Sequence, residues 1–198
     1  MDLGDMAPEP TEQLAAWIEA ARTAGIDLPE AFTLATVSAA GEPSARMVLA
    51  RGLDAQGLRF YTNRESRKGR DLAEVPRAAA VFHWATINRQ ARLAGAVQEI
   101  DPVESQAYFA SRPRDSRISA WASAQGQPIE DRVALDARWN DADHRFHGDA
   151  VPMPPFWGGY LIIPEVVEFW ESRPDRLHDR IEYLHQDDGS WTRRRLQP

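Results

Sequence analysis

The chain has 198 residues, 43% of them apolar and 27% charged, enough apolar content to bury a sizeable core and too much for global disorder. It contains no Cys, which removes disulfide frameworks, thiolate zinc sites and cysteine nucleophiles. A net charge of -7 argues against a nucleic-acid coat, although local basic clusters can still grip a small anion.

The acidic, Pro-bearing start MDLGDMAPEP lacks the apolar run of a secretory signal. The longest uncharged stretch, residues 150–164, falls short of a membrane span of about 20 residues and is broken by prolines. A soluble cytoplasmic protein is expected. The 23 cationic side chains are all Arg except one Lys, Lys68. Schiff-base or amine-base chemistry is therefore confined to Lys68 or the N-terminus, while permanently charged Arg forks suit phosphate or carboxylate.

Residues 1–10 are expected as a flexible tail, and 11–198 as a single domain. Thr11 is placed as the cap of an amphipathic helix with Leu14, Ala15, Trp17, Ile18 and Ala21 at helical spacing and Gly25 as its stop. Strands are expected over 32–37 and 44–49 around a turn at 40–43, and over 58–62 after a turn at 54–57. Ser66 opens a short helix over 67–73, closed by Pro76, and strands over 78–84 and 90–100 follow. Asp101-Pro102-Val103-Glu104, a capping acid with Pro in the first turn, leads into a helix over 105–111. Further helices are expected over 116–123 and 130–146, then strands over 159–163, 166–170, 180–184 and 191–196. Strands, then helices, then strands, without repeat or linker, predict an α+β barrel rather than alternating βαβ units.

Gly-rich phosphate loops, HExxH and GxSxG are missing from the sequence. His144 and His147, three apart beside Asp141 and Asp143, are read as a solvated helix end, so no metal site is expected. Instead, cations gather where strands end and helices begin. Arg46 lies in the second strand, and Arg67 and Lys68 follow Ser66 at a helix N-terminus just after Tyr61-Thr62-Asn63. Free N–H groups, two cations and two hydroxyls there suit a phosphate, the alternative being a solvated helix start. The cluster Ser111-Arg112-Pro113-Arg114-Asp115-Ser116 either holds a second anion or is a salt-bridged turn. In Arg176-Leu177-His178-Asp179-Arg180, His178 is flanked closely by two Arg and is read as a hydrogen-bonding partner or as part of a strand edge. Two anion sites among many Trp and Tyr point to a planar phosphorylated ligand with a second one beside it.

Together these clusters resemble the pyridoxamine 5'-phosphate oxidase family of flavoenzymes. The resemblance rests on Arg46-Met-Val-Leu-Ala-Arg51, Phe60-Tyr-Thr-Asn-Arg-Glu-Ser-Arg-Lys68, Arg89-Gln90, Tyr108-Phe-Ala-Ser-Arg-Pro-Arg-Asp-Ser116, Ala120-Trp121, Pro155-Phe-Trp-Gly-Gly159, Glu168-Phe-Trp170, Arg176-Leu-His-Asp-Arg180 and Arg195-Leu-Gln-Pro198, in the family's order. It implies an FMN-binding split β-barrel with flanking helices, a homodimer, and FMN at the subunit interface. It also implies FMN contacts from Arg46, Met47, Val48, Leu49, Tyr61, Thr62, Arg67, Lys68, Gln90, Gln125, Gly126, Trp170 and Arg180. Arg51, Tyr108, Arg112 and Ser116 would meet the substrate phosphate, and Arg176, Leu177 and His178 the substrate ring, Arg176 and His178 as the catalytic pair. The implied reaction transfers a hydride from C4' of pyridoxamine or pyridoxine 5'-phosphate to N5 of FMN, with O2 as final acceptor, yielding pyridoxal 5'-phosphate, hydrogen peroxide and, from the amine, ammonia.

Four departures from the family pattern stand out. Arg51 stands for a Lys, exchanging a compact ammonium for a fork. The N-terminal lead is short, Gly126 replaces a Ser after the Gln, and Asn88 replaces an acidic residue before Arg89-Gln90. The competing readings are an FMN oxidase of the same fold acting on another heteroaromatic ring, of phenazine-pathway type, and a non-catalytic flavin or pyridoxal phosphate binding protein.

Overall fold

The computed structural model describes residues 1–148 and 150–198. Among these residues, nine strands form one curled antiparallel sheet: β1 (Ala31–Val37), β2 (Pro43–Leu49), β3 (Gly52–Asp54), β4 (Gly57–Asn63), β5 (Arg77–Trp84), β6 (Arg89–Glu99), β7 (Trp157–Glu171), β8 (Asp179–His185) and β9 (Trp191–Arg195). Their order is β2-β1-β5-β6-β7-β4-β3, with β8 pairing β7 and β9 pairing β8. Five helices flank it: α1 (Pro10–Thr23), α2 (Arg67–Glu74), α3 (Pro102–Ser111), α4 (Arg114–Ala122) and α5 (Arg132–Arg145). This is the expected α+β split β-barrel.

Strand alternation builds the core. In β1 the inward positions Phe32, Leu34 and Thr36 are buried, and Phe60, Phe82, Phe169 and Tyr183 join them from other strands. Each such aromatic contributes roughly 1.5–3 kcal/mol by leaving water. Helix α1 covers the curl with Leu14, Trp17, Ile18 and Ala21, and the Trp17 ring meets Phe169 edge-on at 4.9 Å. A smaller cluster, Ile118, Ala122, Ala142 and Val151, glues α4 to α5.

Strand β7 is the spine. One edge pairs with β6 along its length, while the other pairs with β4 over residues 157–162 and with β8 over residues 166–171. The sequence pattern suggests two strands here because Pro164 interrupts it. The structure keeps one strand by placing Pro164 opposite Gly95 at a register shift. A Cβ on Gly95 would lie 1.9 Å from the Ile163 carbonyl oxygen, so the close approach needs glycine.

Other expectations need correction. Residues 1–9 are packed rather than loose: Leu3–Asp5 form a 3-10 turn, Met6 enters the core, and the Tyr183 hydroxyl donates to the Ala7 carbonyl at 2.8 Å. Helix α1 begins at Pro10, a residue pre-set for a first turn, so Thr11 lies inside it rather than capping it. The three-residue β3 is too short for its alternation to show in sequence.

Candidate functional site

A cleft of about 710 Å³ opens between the end of β2, strand β4, the start of β7 and helices α3 and α4. Its lining includes Arg46, Met47, Val48, Leu49, Arg51, Tyr61, Thr62, Lys68, Tyr108, Arg112, Ser116 and Gln125, twelve positions expected from sequence. Asn63, Ser119, Ala120, Ser123 and Trp157 complete it.

Lys68 is delivered by the first turn of α2, which Gly69 lets settle onto β4's exit: a Cβ at Gly69 would lie 2.0 Å from the Arg64 carbonyl oxygen. The Lys68 ammonium is buried and donates to three neutral oxygens, Thr62 Oγ1 at 3.1 Å, Ser66 Oγ at 3.1 Å and Gln125 Oε1 at 3.0 Å. Burial, with a smaller push from the Arg46 cation, lowers its pKa to about 8. Arg46 is fixed by donation to Thr36 Oγ1 and Ser44 Oγ, both at 2.8 Å, and lies 3.9 Å from Asp71. A buried ammonium held only by neutral oxygens, beside a second cation, fits a phosphate.

The opposite wall is aromatic. Tyr61 stacks on Tyr108 at 4.0 Å and on Trp157 at 5.5 Å, and the Arg112 guanidinium lies over Trp157 at 5.0 Å. Tyr61 faces Gly159 across the β4–β7 ladder, where a Cβ would meet its ring at 2.6 Å. That close fit accounts for a glycine in the Pro155–Gly159 stretch. Burial, helped by Glu104, pushes the Tyr61 hydroxyl up to about 12. Arg112 Nη1 is buried and has no hydrogen-bond partner among the described residues. Burial lowers the Arg112 pKa, and the neighbouring Arg51 charge adds to that lowering. Arg114, from the same sequence cluster, instead ties α4 to the end of α5 through Asp143 and the carbonyls of Phe146 and Gly148. One Arg of that cluster thus lines the cleft and the other is structural.

A second, smaller cleft of about 240 Å³ lies at the far end of the sheet, lined by Gln90, Arg92, Glu168, Trp170, His178, Arg180 and Pro198. Trp170 and His178 rings are 4.7 Å apart, and His178 Nδ1 accepts from the Arg173 backbone N–H at 3.2 Å. The loop before His178 carries two consecutive non-glycine residues in the left-handed region, Asp175 at φ 57 and Arg176 at φ 61. Such residues persist only where their surroundings enforce them. Gly159 and Trp170, which mark the two clefts on β7, are separated by roughly 35 Å of extended strand.

Arg67, Gly126, Arg176 and Leu177 line neither cleft. Arg67 is half exposed and lies 3.9 Å from Glu42. Leu177 is 71% exposed, pointing away from the chain's own core. Two departures have conformational reasons: Gly126 sits at φ +86 and Asn88 at φ 55, conformations that glycine and asparagine accept most readily. Sequence reasoning did not single out Arg92 or Trp157. Arg92 had a usable signal, since it lies two positions from Gln90 and therefore on the same face of β6.

Comparison with known proteins gives a consistent answer. Residues 18–144 match the family described as pyridoxamine 5'-phosphate oxidase, and residues 157–198 match the pyridoxine 5'-phosphate oxidase C-terminal dimerisation region. A pyridoxine/pyridoxamine 5'-phosphate oxidase of Cupriavidus metallidurans is 50% identical over 194 residues, 98% of this chain and 91% of the relative. One from Paraburkholderia phymatum is 48% identical over 198 residues, covering 100% of this chain and 93% of the relative. Among solved structures, PhzG from Burkholderia lata 383, in complex with tetrahydrophenazine-1-carboxylic acid, superposes with a TM-score of 0.91 at 31% identity, covering 98% of this chain and 95% of that one.

Proposed function

Since this chain belongs to the pyridoxamine 5'-phosphate oxidase family, we propose that it converts pyridoxamine or pyridoxine 5'-phosphate to pyridoxal 5'-phosphate as a homodimeric FMN-dependent oxidase. The observation that carries this reading is a pair of cations in one cleft that have no carboxylate partner among the described residues. Lys68 has only neutral oxygens around it, and Arg112 Nη1 has no described partner. Two such positions beside an aromatic wall suit two phosphorylated planar molecules, one the cofactor and one the substrate.

FMN, when bound, supplies a hydride acceptor and a route for electrons to O2. Lys68, Thr62 and Arg46 would hold its phosphate, with Gln125 keeping the Lys68 ammonium in place. Arg112, braced by Trp157, would hold the substrate phosphate together with Arg51, Ser116 and Tyr108. Gln90, Trp170, Arg180, Arg176 and His178 would come from a second copy of the chain, because their cleft lies too far along β7 to close over the same molecule. Arg176 and His178 would then orient the substrate ring, fixing the reacting carbon and keeping water from it. The chemistry needs no protein nucleophile, in keeping with a chain that has no Cys and one Lys.

The likeness to PhzG favours one second reading, an oxidase acting on another heteroaromatic acid, whose carboxylate would take the place at Arg112. The test is spectroscopic. Purified protein should carry or take up FMN and show its visible band, and anaerobic addition of pyridoxamine 5'-phosphate should bleach it. Bleaching only by tetrahydrophenazine-1-carboxylic acid would select the second reading, and a protein that takes up no FMN would overturn both.

A further inference from the structure

Glu168, in the middle of β7, is 3% exposed, yet it is charged and touches two cations. Its Oε1 accepts from Arg180 Nε at 2.9 Å and its Oε2 from Arg180 Nη2 at 3.0 Å, so the two planar groups meet as a fork on a fork. From the other neighbouring strand, Arg92 Nε reaches the same Oε2 at 2.9 Å. The carboxylate is therefore clamped from β6 and β8 at once and cannot swing.

The local register makes this arrangement costly for stability alone. Arg92 faces Glu168 across β6–β7, Glu168 faces Glu182 across β7–β8, and Glu182 faces Arg194 across β8–β9. Two buried carboxylates thus stand directly opposite each other, an unfavourable cross-strand pair. Burial alone would raise the Glu168 carboxyl, but Arg180 and Arg92 more than offset it and hold it below its ordinary range. What the clamp achieves is the fixed direction of Arg180. Its Nη1 donates to the Gln197 carbonyl at 3.0 Å, so three of its five N–H groups are committed, and the guanidinium plane is set at the wall of the second cleft beside Gln90, Trp170 and His178.

We propose that Glu168 is a positioning residue that presents the Arg180 guanidinium to the flavin, with Arg92 locking the carboxylate that does so. This rests on the FMN reading given above. Arg92 and Glu168 act through Arg180 and need not touch the ligand themselves.

The test is a double-mutant cycle on FMN affinity, read from the quenching of free-flavin fluorescence in the full-length protein, with thermal midpoints measured without flavin. Glu168→Gln keeps the shape and removes the charge, and should weaken FMN binding about tenfold, the usual size for a lost charge-assisted contact. Arg180→Ala should weaken it at least as much, and the double variant no further. A Glu168 with a merely structural role would instead weaken binding equally in both Arg180 backgrounds. If Glu168→Gln does not fold, the partly exposed Arg92→Gln replaces it, with an expected loss of about threefold that vanishes in the Arg180→Ala background. Parent-like affinity in the foldable variant, or additive losses, would overturn the proposal while leaving the FMN reading intact. A parent protein that fails to bind FMN would remove that reading, and this inference with it.

Discussion

Lys68 enters its cleft at a cost that a ligand can return. Its pKa of about 8, against 10.5 in solution, means that between those values the unfolded chain holds more of the proton than the folded one. The Lys68 contribution therefore favours the folded, ligand-free protein increasingly as pH rises through that window. A phosphate beside Nζ restores the charged form, so binding above pH 8 takes up a proton. FMN affinity measured by titration should fall as pH rises past about 8, by at most about tenfold per pH unit, and Lys68→Met should abolish the slope. A flat profile in the parent protein would show that the phosphate sits elsewhere.

At this scale the sequence is informative where a residue's type is unusual for its chain. The lone Lys, placed just after Ser66, stands out and does line the cleft. Arg67 looks equivalent in sequence but points to Glu42, because adjacent helical residues face different directions. Glu168 appeared only inside a matched stretch, since its meaning depends on which residues face it across two ladders.

Among elements, the close meeting of β4 and β7 decides whether the aromatic wall forms. Tyr61 lies against Gly159 so tightly that even a methyl group does not fit. Gly159→Ala should cost about 1–3 kcal/mol by overpacking. That lowers the thermal midpoint by roughly 2–12 °C in a domain of this size, and substrate affinity should fall because Tyr108 and Arg112 pack on the same stack. An unchanged midpoint in calorimetry would mean the strands can part without loss. Most strands and helices were legible because their apolar periods are regular, as in β1 and α1. The exceptions were physical: a strand too short to alternate, a Pro inside a continuous strand, and N-terminal residues whose packing depends on β8 and β9 rather than on their own pattern.

For the whole molecule, the α+β barrel follows from the order of elements, but assembly leaves little trace in a single chain's periodicity. Dimerisation entered through the resemblance and rests on the match of residues 157–198 to a dimerisation region. The roughly 35 Å of β7 between the two clefts has a further consequence if each complete site takes one cleft from either chain. Crippling different halves in different chains should then allow genetic-style complementation. Lys68→Met protein and His178→Ala protein, each impaired alone, would on mixing and re-association form hybrids in which one site carries both lesions and the other carries none. Random pairing would restore about a quarter of the parent's oxidase sites. Absence of any recovery, with hybrids demonstrated by mass, would place both halves of a site within one chain.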